Sequence, residues 1–597
     1  MKLSNVLFLI FTALVFLFAI SCAKQGTPTG GPRDTIPPAV INSIPENQSL
    51  NFKGNELFFL FDERINADKL KQQLIISPNT DLEYSYVVKK DRLIIKLDNA
   101  LEDSITYTFN FLDGVTDITD KTPAVNLKLA FSTGPYIDSI FVKGQVNDLL
   151  NNEASAKYTV GLYDVDDTVT IFNGKPKYFT TVDESGSYNI ENIKIGQYRI
   201  YTWNDVNRNL LLETEKEAYA FLRDTLDLSV SKDSVDLKTV KINTEEPEVL
   251  SARAAGRYFD VRYNKQLLNY TATPATEDKP LANQLKNPDK LIRFYNTIDI
   301  KETDSITYYI QVTDSLSQSS TDTVQVKFRE TKKKPDELKI DKKEFENLVN
   351  KNIGFTINFS KPIAQVSYDS IRIGLDTIAF ISLQDLLIIS TPRPIINDSV
   401  TTDSLGVPDI KDNFTWNTTR TQLSFDMPFN WKYVNDSIAK VNERFTYLDS
   451  ISTDTTRAKF QPISQNNVKV ILDKGALISV ESDTLSRNVF DYKYEDVQDL
   501  GMFIVTLNTS YNNYWLEVLE KDKKTTVRSV KITDQNNVTI SRLKPGNYAF
   551  IIKLDDNNDG IWSYGNILNN EEPETIIFTG VESALRANFE VNIKLDF

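Results

Sequence analysis

Short runs in which apolar and polar residues alternate, or in which five or six apolar residues stand together, recur along most of this chain between clusters of Asn, Asp, Ser, Gly and Pro. Alternation places every second side chain on one face, and a short apolar run between turn residues suits a strand covered on both sides. Glu56 to Phe61 (ELFFLF) is such a run and predicts a well-buried strand. Arg92 to Leu97 (RLIIKL) predicts another, and Ile105 to Phe111 (ITYTFNF) an alternating one. Tyr158 to Tyr163 (YTVGLY), Tyr188 to Ile190 and Tyr198 to Trp203 (YRIYTW) predict a second group of strands. Ala67 to Leu74 (ADKLKQQL) is the one short stretch near the start with a helical pattern. Many short strands at turn-punctuated intervals predict an all-β chain of sandwich modules.

The opening residues follow a different pattern. Lys2 is the only charge before an apolar run from Val6 to Ile20, which meets Ala19-Ile20-Ser21-Cys22. A basic start, an apolar stretch and small residues before a cut site describe a secretory signal peptide over residues 1–21. The run falls short of the ~20 residues of a transmembrane helix. Small residues followed by Cys resemble a bacterial lipobox, although Ala19 stands where Leu is the stronger choice. That resemblance implies lipidation and acylation of Cys22 after cleavage, and several acyl chains give lasting anchorage at ~0.8 kcal/mol per buried methylene. Cys22 is the single cysteine of the chain, so the folded part has no disulfides. Residues 22–37, rich in Gly, Pro and Thr, read as a tether.

Length and turn signals divide the remainder into five or six modules. They are expected at 38–134, 138–243, 244–335, 336–500 (one or two modules with loop insertions, 397–420 being an exposed loop) and 501–597. Residues 330–340 (ETKKKPDELKI) read as a charged link. Asp304-Ser305-Ile306-Thr307-Tyr308 repeats Asp103-Ser104-Ile105-Thr106-Tyr107, and Phe355 to Ile363 echoes Leu57 to Ile65. Gly31 to Pro38 (GPRDTIPP), Ser43 to Asn47 (SIPEN) and Leu57 to Glu63 (LFFLFDE) resemble the bacterial, S-layer-type Ig-like domain of Bacteroidota lipoproteins. The resemblance covers about the first 135 residues and implies an envelope setting, not an activity.

A second repeat is offset by a constant interval. Ile193-Lys194-Ile195-Gly196-Gln197-Tyr198 matches Leu543-Lys544-Pro545-Gly546-Asn547-Tyr548. Each is followed, at equal spacing, by an Asx-rich loop: Asp205, Asn207, Asn209 in one and Asp555, Asn557, Asp559, Gly560 in the other. Equal spacing predicts one fold for both modules. The pattern resembles the transthyretin-like sandwich of carboxypeptidase regulatory domains and surface-protein B-type repeats. The fold class expected is therefore all-β, with tandem Ig-like and transthyretin-like β-sandwich domains behind a lipoprotein signal peptide.

Oxygen ligands at alternate loop positions suit calcium. Asp555, Asn557 and Asp559 fit the first half of such a loop, but Asn566 stands where a closing Glu belongs; Glu571 or Glu572 could close it only if the loop folded back. The first loop has Asp205 with Asn207 and Asn209, and Glu213 nearby. Asx turns satisfied by backbone amides are the other reading of both loops. Calcium would stiffen a loop, not catalyse.

Composition narrows the functions. The chain has no histidine among 597 residues, which removes Ser-His-Asp triads, Cys-His pairs and the usual zinc sites. Its formal charge is −15, and loss of residues 1–21 would remove Lys2 and no acid. An acidic surface argues against a nucleic-acid partner. The paired acids Asp62 and Glu63 face opposite sides of an extended chain, so they cannot act on one bond. The expectation is a non-catalytic, lipid-anchored outer-membrane protein, not an enzyme. It would be a scaffold or accessory subunit for an assembly, secretion or uptake complex, with an outer-membrane β-barrel or other envelope protein as partner. A cell-surface glycan-binding protein, using Phe429 to Tyr433 or Tyr511 to Trp515, is the alternative, and a carboxylate-based hydrolase the third. No acidic run follows Cys22, so the face of the membrane stays open.

Overall fold

The computed structural model describes residues 35–597, apart from 81, 166–167, 277–279, 287, 333, 347–351, 375–379, 391–408, 452–460, 464–466, 494, 496 and 523–524. The chain is all-β, built of tandem sandwiches around five separate hydrophobic clusters. It divides into two compact units, the first ending at Thr239 and the second running from Val240 to Phe597, with 148–153 and 214–218 grouped with the second.

In the first unit, a four-stranded sheet takes the order Val40–Ile44, Glu56–Phe61, Arg92–Leu97, Tyr84–Lys89. It faces a three-stranded sheet of Ile75–Ser77, Thr106–Asn110 and Lys128–Ser132 across a core that includes Leu57, Phe59, Phe61, Leu93, Ile95, Tyr107, Phe109 and Phe131. Glu56–Phe61 alternates: Leu57, Phe59 and Phe61 are buried, Phe58 and Leu60 half-buried. Thr106–Asn110, expected to alternate, is buried on both faces as far as Phe109. Tyr107 and Phe109 fill the core, and the opposite face meets the next sandwich. There Thr108 donates to the Asn192 side chain (3.1 Å), Thr106 Oγ1 accepts from Asp138 N (2.9 Å), and Asn192 donates to the Asp138 carbonyl (2.8 Å). Lys128 pairs with Glu191 at 2.8 Å across the same seam. The expected helix at Ala67 to Leu74 shrinks to the single turn Leu70–Gln73, whose start has no side-chain cap.

The second sandwich sets Ser187–Ile193, Ile140–Asp148 and Leu237–Thr239 against Tyr178–Thr181, Thr159–Asp164, Gln197–Trp203 and Tyr219–Phe221. The last sandwich of the second unit repeats this plan. Asn537–Leu543, Gly501–Asn508 and Glu590–Asp596 face Thr526–Thr533, Asn513–Glu520, Gly546–Leu554 and Ile576–Leu585. Register follows the sequence repeat. Ile193 and Ile190 flank a bulge against Ile140 and Val142, and Leu543 and Ile540 do so against Gly501 and Phe503.

The two remaining sandwiches of the second unit share the first one's four-stranded plan. Their sheets run Val249–Ala255, Tyr258–Tyr263, Leu291–Tyr295, Asn283–Lys286 and Ile340–Glu346, Ile353–Phe359, Gln422–Met427, Phe414–Trp416. All three open with a bulge at the same place: Val40 opposes Phe61 but Asn42 opposes Leu60, Val249 and Ser251 oppose Tyr263 and Arg262, and Ile340 and Lys342 oppose Phe359 and Asn358. A bulge bends and twists the edge strand, which helps keep an open edge from pairing with another chain.

Two helices lie where strands and loops were expected. Leu383–Ser390 buries Leu383, Leu386 and Leu387. Trp431–Ile451 buries Trp431, Val434 and Ile438 against the fourth core, each contributing about 1.5–3 kcal/mol. Asn430 caps its start, its side-chain oxygen accepting from Tyr433 N (3.0 Å). Part of the stretch expected as an exposed loop, Phe414–Trp416, is an edge strand paired with Gln422–Met427; residues 397–408 lie outside the described residues.

Candidate functional site

Cys22 and the signal peptide lie outside the described residues, as does the tether up to Asp34. No helix among the described residues is long and apolar enough to cross a membrane.

The two Asx-rich loops follow the same local construction. In each, a Lys-x-Gly-x-Tyr turn delivers the chain into a central strand. Tyr198 donates to the Lys194 carbonyl at 2.8 Å and Tyr548 to the Lys544 carbonyl at 2.6 Å. Gly196 lies close under its tyrosine, where an added Cβ would stand 3.3 Å from the ring. The strands Gln197–Trp203 and Gly546–Leu554 then run into loops of matching backbone. Arg208 and Leu210 have φ of 59° and 62°, and Asn558 and Gly560 have 59° and 86°. Glycine takes the left-handed conformation without a Cβ penalty, whereas Leu210 adopts it under strain.

The loops differ in how their first aspartate is satisfied. Asp205 accepts from Asn209 N at one oxygen and Leu210 N at the other, both at 3.0 Å. Asn207 and Asn209 are held as Asx turns, and Asn207 donates to Glu213 (2.8 Å). Burial raises the Asp205 carboxyl above its ordinary pKa, against the pull of these backbone donors.

In the second loop, Asp555 Oδ2 accepts from Gly560 N at 3.0 Å, matching Asp205 and Leu210. Asp555 Oδ1 is buried and accepts no hydrogen bond from any described residue, and the whole residue is 6% exposed. Asn557 accepts from Asp559 N, and Asp559 from Ile561 N, each at 2.8 Å. The acid facing this loop is neither Glu571 nor Glu572 but Glu574, also 6% exposed. It accepts from Asn557 N (3.3 Å) and Ser563 N (2.7 Å). Burial raises its pKa, and the nearby charges of Asp555 and Asp559 add to the rise. Asn566 is used otherwise: its side chain caps a short turn by accepting from Leu568 N, and its backbone pairs with Glu571. Glu574 carried no signal in the sequence, because its place depends on how residues 561–573 fold back. Among the described residues, no three carboxylate, thiol or imidazole side chains are gathered closely enough to hold a metal ion.

The aromatic clusters are packed in part, with Tyr433 and Tyr511 exposed. Trp431 is 5% exposed, with its ring 4.4 Å from that of Phe429. Trp515 is half-buried and covered by Lys531 (4.9 Å), and Tyr511 stacks on Phe597. Asp62 accepts from Ala39 N at 2.8 Å, tying a strand end.

A further polar cluster, not foreseen from the sequence, sits between the third and fourth sandwiches inside the second unit. Lys361, 2% exposed, pairs with Glu481 at 2.8 Å and Asp483 at 3.1 Å. Glu481 also accepts from Tyr258 (3.1 Å) and pairs with Arg257 (3.3 Å). Burial works to raise Asp483, but donors from Ser479, Lys361 and Leu338 N outweigh it and hold its pKa below the usual carboxylate range. Lys286 donates to the Ser360 carbonyl at 2.8 Å across the same seam.

Against known proteins, the sequence and the fold give separate findings. Residues 34–133 match the Bacterial Ig-like domain family. No curated protein matches the chain. Among solved structures, the human desmocollin-1 ectodomain is 9% identical over 50% of this chain, with a TM-score of 0.15. BcpA, the major pilin subunit of Bacillus cereus, is 10% identical over 77%, with a TM-score of 0.12. The S-layer protein SbsC is 12% identical over 57%, with a TM-score of 0.13. The chain spans 99% of the pilin structure but 60% of each of the other two.

Proposed function

We propose that this protein is a non-catalytic cell-envelope protein, anchored in the outer membrane by lipid on Cys22, that acts as a scaffold or accessory subunit of an outer-membrane protein complex. One observation supports this reading above the others: charges buried in its sandwiches are spent on joining strands and loops. Lys265 pairs with Asp314 and also donates to the carbonyls of Asn243 and Glu245. Lys361 links Glu481 and Asp483, and Lys553 pairs with Glu517 at 2.9 Å. Asp117 accepts from the backbone N–H groups of Asp120, Lys121 and Thr122. Such pairs resist relative movement more than they prepare a group to react. The bacterial Ig-like match at residues 34–133 and the lipobox resemblance agree with a place in the envelope.

The test is mild detergent extraction of the native, tagged chain followed by mass identification of what copurifies. A defined outer-membrane β-barrel in fixed ratio supports the proposal. A monomeric particle without a partner overturns it. The glycan-binding reading loses one of its rings, since Trp431 is packed into the fourth core.

A further inference from the structure

We infer that the hairpin 561–574 of the last sandwich is a docking knob for a partner protein that offers an apolar pocket rimmed by lysine or arginine. The inference rests on the proposed function and names the partner's surface. Three apolar side chains stand out on this hairpin: Ile561 is 69% exposed, Leu568 53% and Tyr564 41%. The Tyr564 ring meets that of half-buried Trp562 edge to face at 4.7 Å. Apolar side chains scattered singly on a surface need no explanation. Four within residues 561–568, two of them aromatic, have the make-up of an interface centre. The hairpin holds them out. Asn566 and Glu571 exchange both backbone hydrogen bonds (2.8 and 3.0 Å), and Glu574 N donates to the Ser563 carbonyl at 3.0 Å. Ile567 is buried, and a Cβ on Gly565 would stand 2.3 Å from the Glu571 carbonyl oxygen, so the two arms are pressed together. A pre-formed loop gives up little freedom on binding.

Charge selects the occupant. Residues 555–575 carry six acids and no lysine or arginine. Asp556, Asp559, Glu571 and Glu572 are exposed. Asp559 accepts from Ile561 N, and Glu571 lies across from Asn566, so acids flank the apolar side chains on both arms. Two lysines reach the base of the hairpin, and each is turned to a neighbour. Lys531 donates to the Gly560 carbonyl and covers Trp515, while Lys553 pairs with Glu517 and covers Trp562. The hairpin therefore presents an apolar centre in an acidic rim. An anionic lipid surface or a nucleic acid would be repelled, whereas a basic rim around an apolar pocket matches it. The matching stretch of the second sandwich differs on both counts. Residues 205–225 include Arg208, Lys216 and Arg223, and Val206 is their one large apolar side chain of comparable exposure, at 68%.

The test places a photo-crosslinking benzophenone residue at position 568 of the full native chain, or at position 206 as control, and irradiates intact cells. Mass identification should show one other envelope protein joined at 568 and not at 206, through a peptide that lies beside lysine or arginine. With the tagged chain, the pair Ile561→Ser and Leu568→Ser should lower recovery of that protein about tenfold or more, and so should the pair Glu571→Lys and Glu572→Lys. Val206→Ser should leave recovery unchanged. Hydrogen exchange of strands Gly546–Leu554 and Ile576–Leu585 shows whether each variant is folded, and the cross-link is read without either pair. No adduct at 568 overturns the inference, as does an adduct only with lipid, with a second copy of this chain or with an acidic surface. Equal recovery of a partner by the native chain and the folded variants overturns this inference and leaves the proposed function standing. Absence of any copurifying protein overturns both.

Discussion

Replacing Lys361 by Met removes an ammonium from the junction of the third and fourth sandwiches while keeping most of its volume. Lys361 is 2% exposed, and its partners Glu481 and Asp483 are 10% and 27% exposed. Breaking a buried pair by deleting one partner costs ~3–5 kcal/mol. Here both acids keep other donors: Glu481 has Arg257 and Tyr258, and Asp483 has Ser479 and Leu338 N. Asp483 is also partly solvated, so the lower end of the range, about 3 kcal/mol, is expected. At 1.4 kcal/mol per tenfold, local opening rises ~100-fold. A chain of several modules does not unfold as two states, so hydrogen exchange by mass spectrometry on the whole protein is the suitable assay. Protection should fall most in Ile353–Phe359, less in Tyr258–Tyr263, and not in Gly546–Leu554. Adding Glu481→Gln to Lys361→Met should cost less than the sum of the two single changes, since the stranded charge is gone. A change under about threefold in Ile353–Phe359, or equal loss in all three strands, would refute the reasoning.

Four further outcomes are expected. Gly144→Ala would place a Cβ 1.9 Å from the Val235 carbonyl oxygen, so the second sandwich should lose more than the ~1–3 kcal/mol typical of overpacking; a melting transition unchanged within one degree would contradict it. Tyr198→Phe and Tyr548→Phe each remove a hydrogen bond to a turn carbonyl, of Lys194 and Lys544, and should cost about 0.5–1.5 kcal/mol in their own modules, as read by exchange in Gln197–Trp203 and Gly546–Leu554. The Asp483 carboxyl is depressed in the folded state, so its stabilising effect is full above the ordinary value of ~3.9 and is lost as pH falls through the folded value. Acid should therefore weaken Ile353–Phe359 in the native chain more than in Asp483→Asn. Cys22→Ser should move the protein from the detergent phase to the aqueous phase in a phase-partition assay, and retention in detergent would remove the anchor from the proposed function.

Helix Trp431–Ile451 shows where reading the chain for strands fell short. Its signals were present, with Asn430 as cap and Trp431, Val434 and Ile438 at helical spacing. They were obscured by an aromatic cluster that also suits a surface. Thr106–Asn110 shows the opposite limit. Its alternation was visible, but burial of its threonine face depends on Asn192 and Asp138 of another sandwich, far along the chain. Glu574 is of the same kind, since only the path of the returning loop brings it to Asn557 and Ser563.

The sequence by itself determined that the chain is all-β, that its second and last sandwiches share one plan, and that histidine-based chemistry is absent. These follow from local properties: strand periodicity, turn residues, equal spacing and composition. Only the tertiary structure decided which Asx loop leaves a carboxylate oxygen unmatched and that Glu481, paired with Lys361 of its own sandwich, also meets Arg257 and Tyr258 of the neighbouring one. Both depend on groups distant in sequence meeting where water is excluded, and burial is what makes one missing or added partner count in kilocalories.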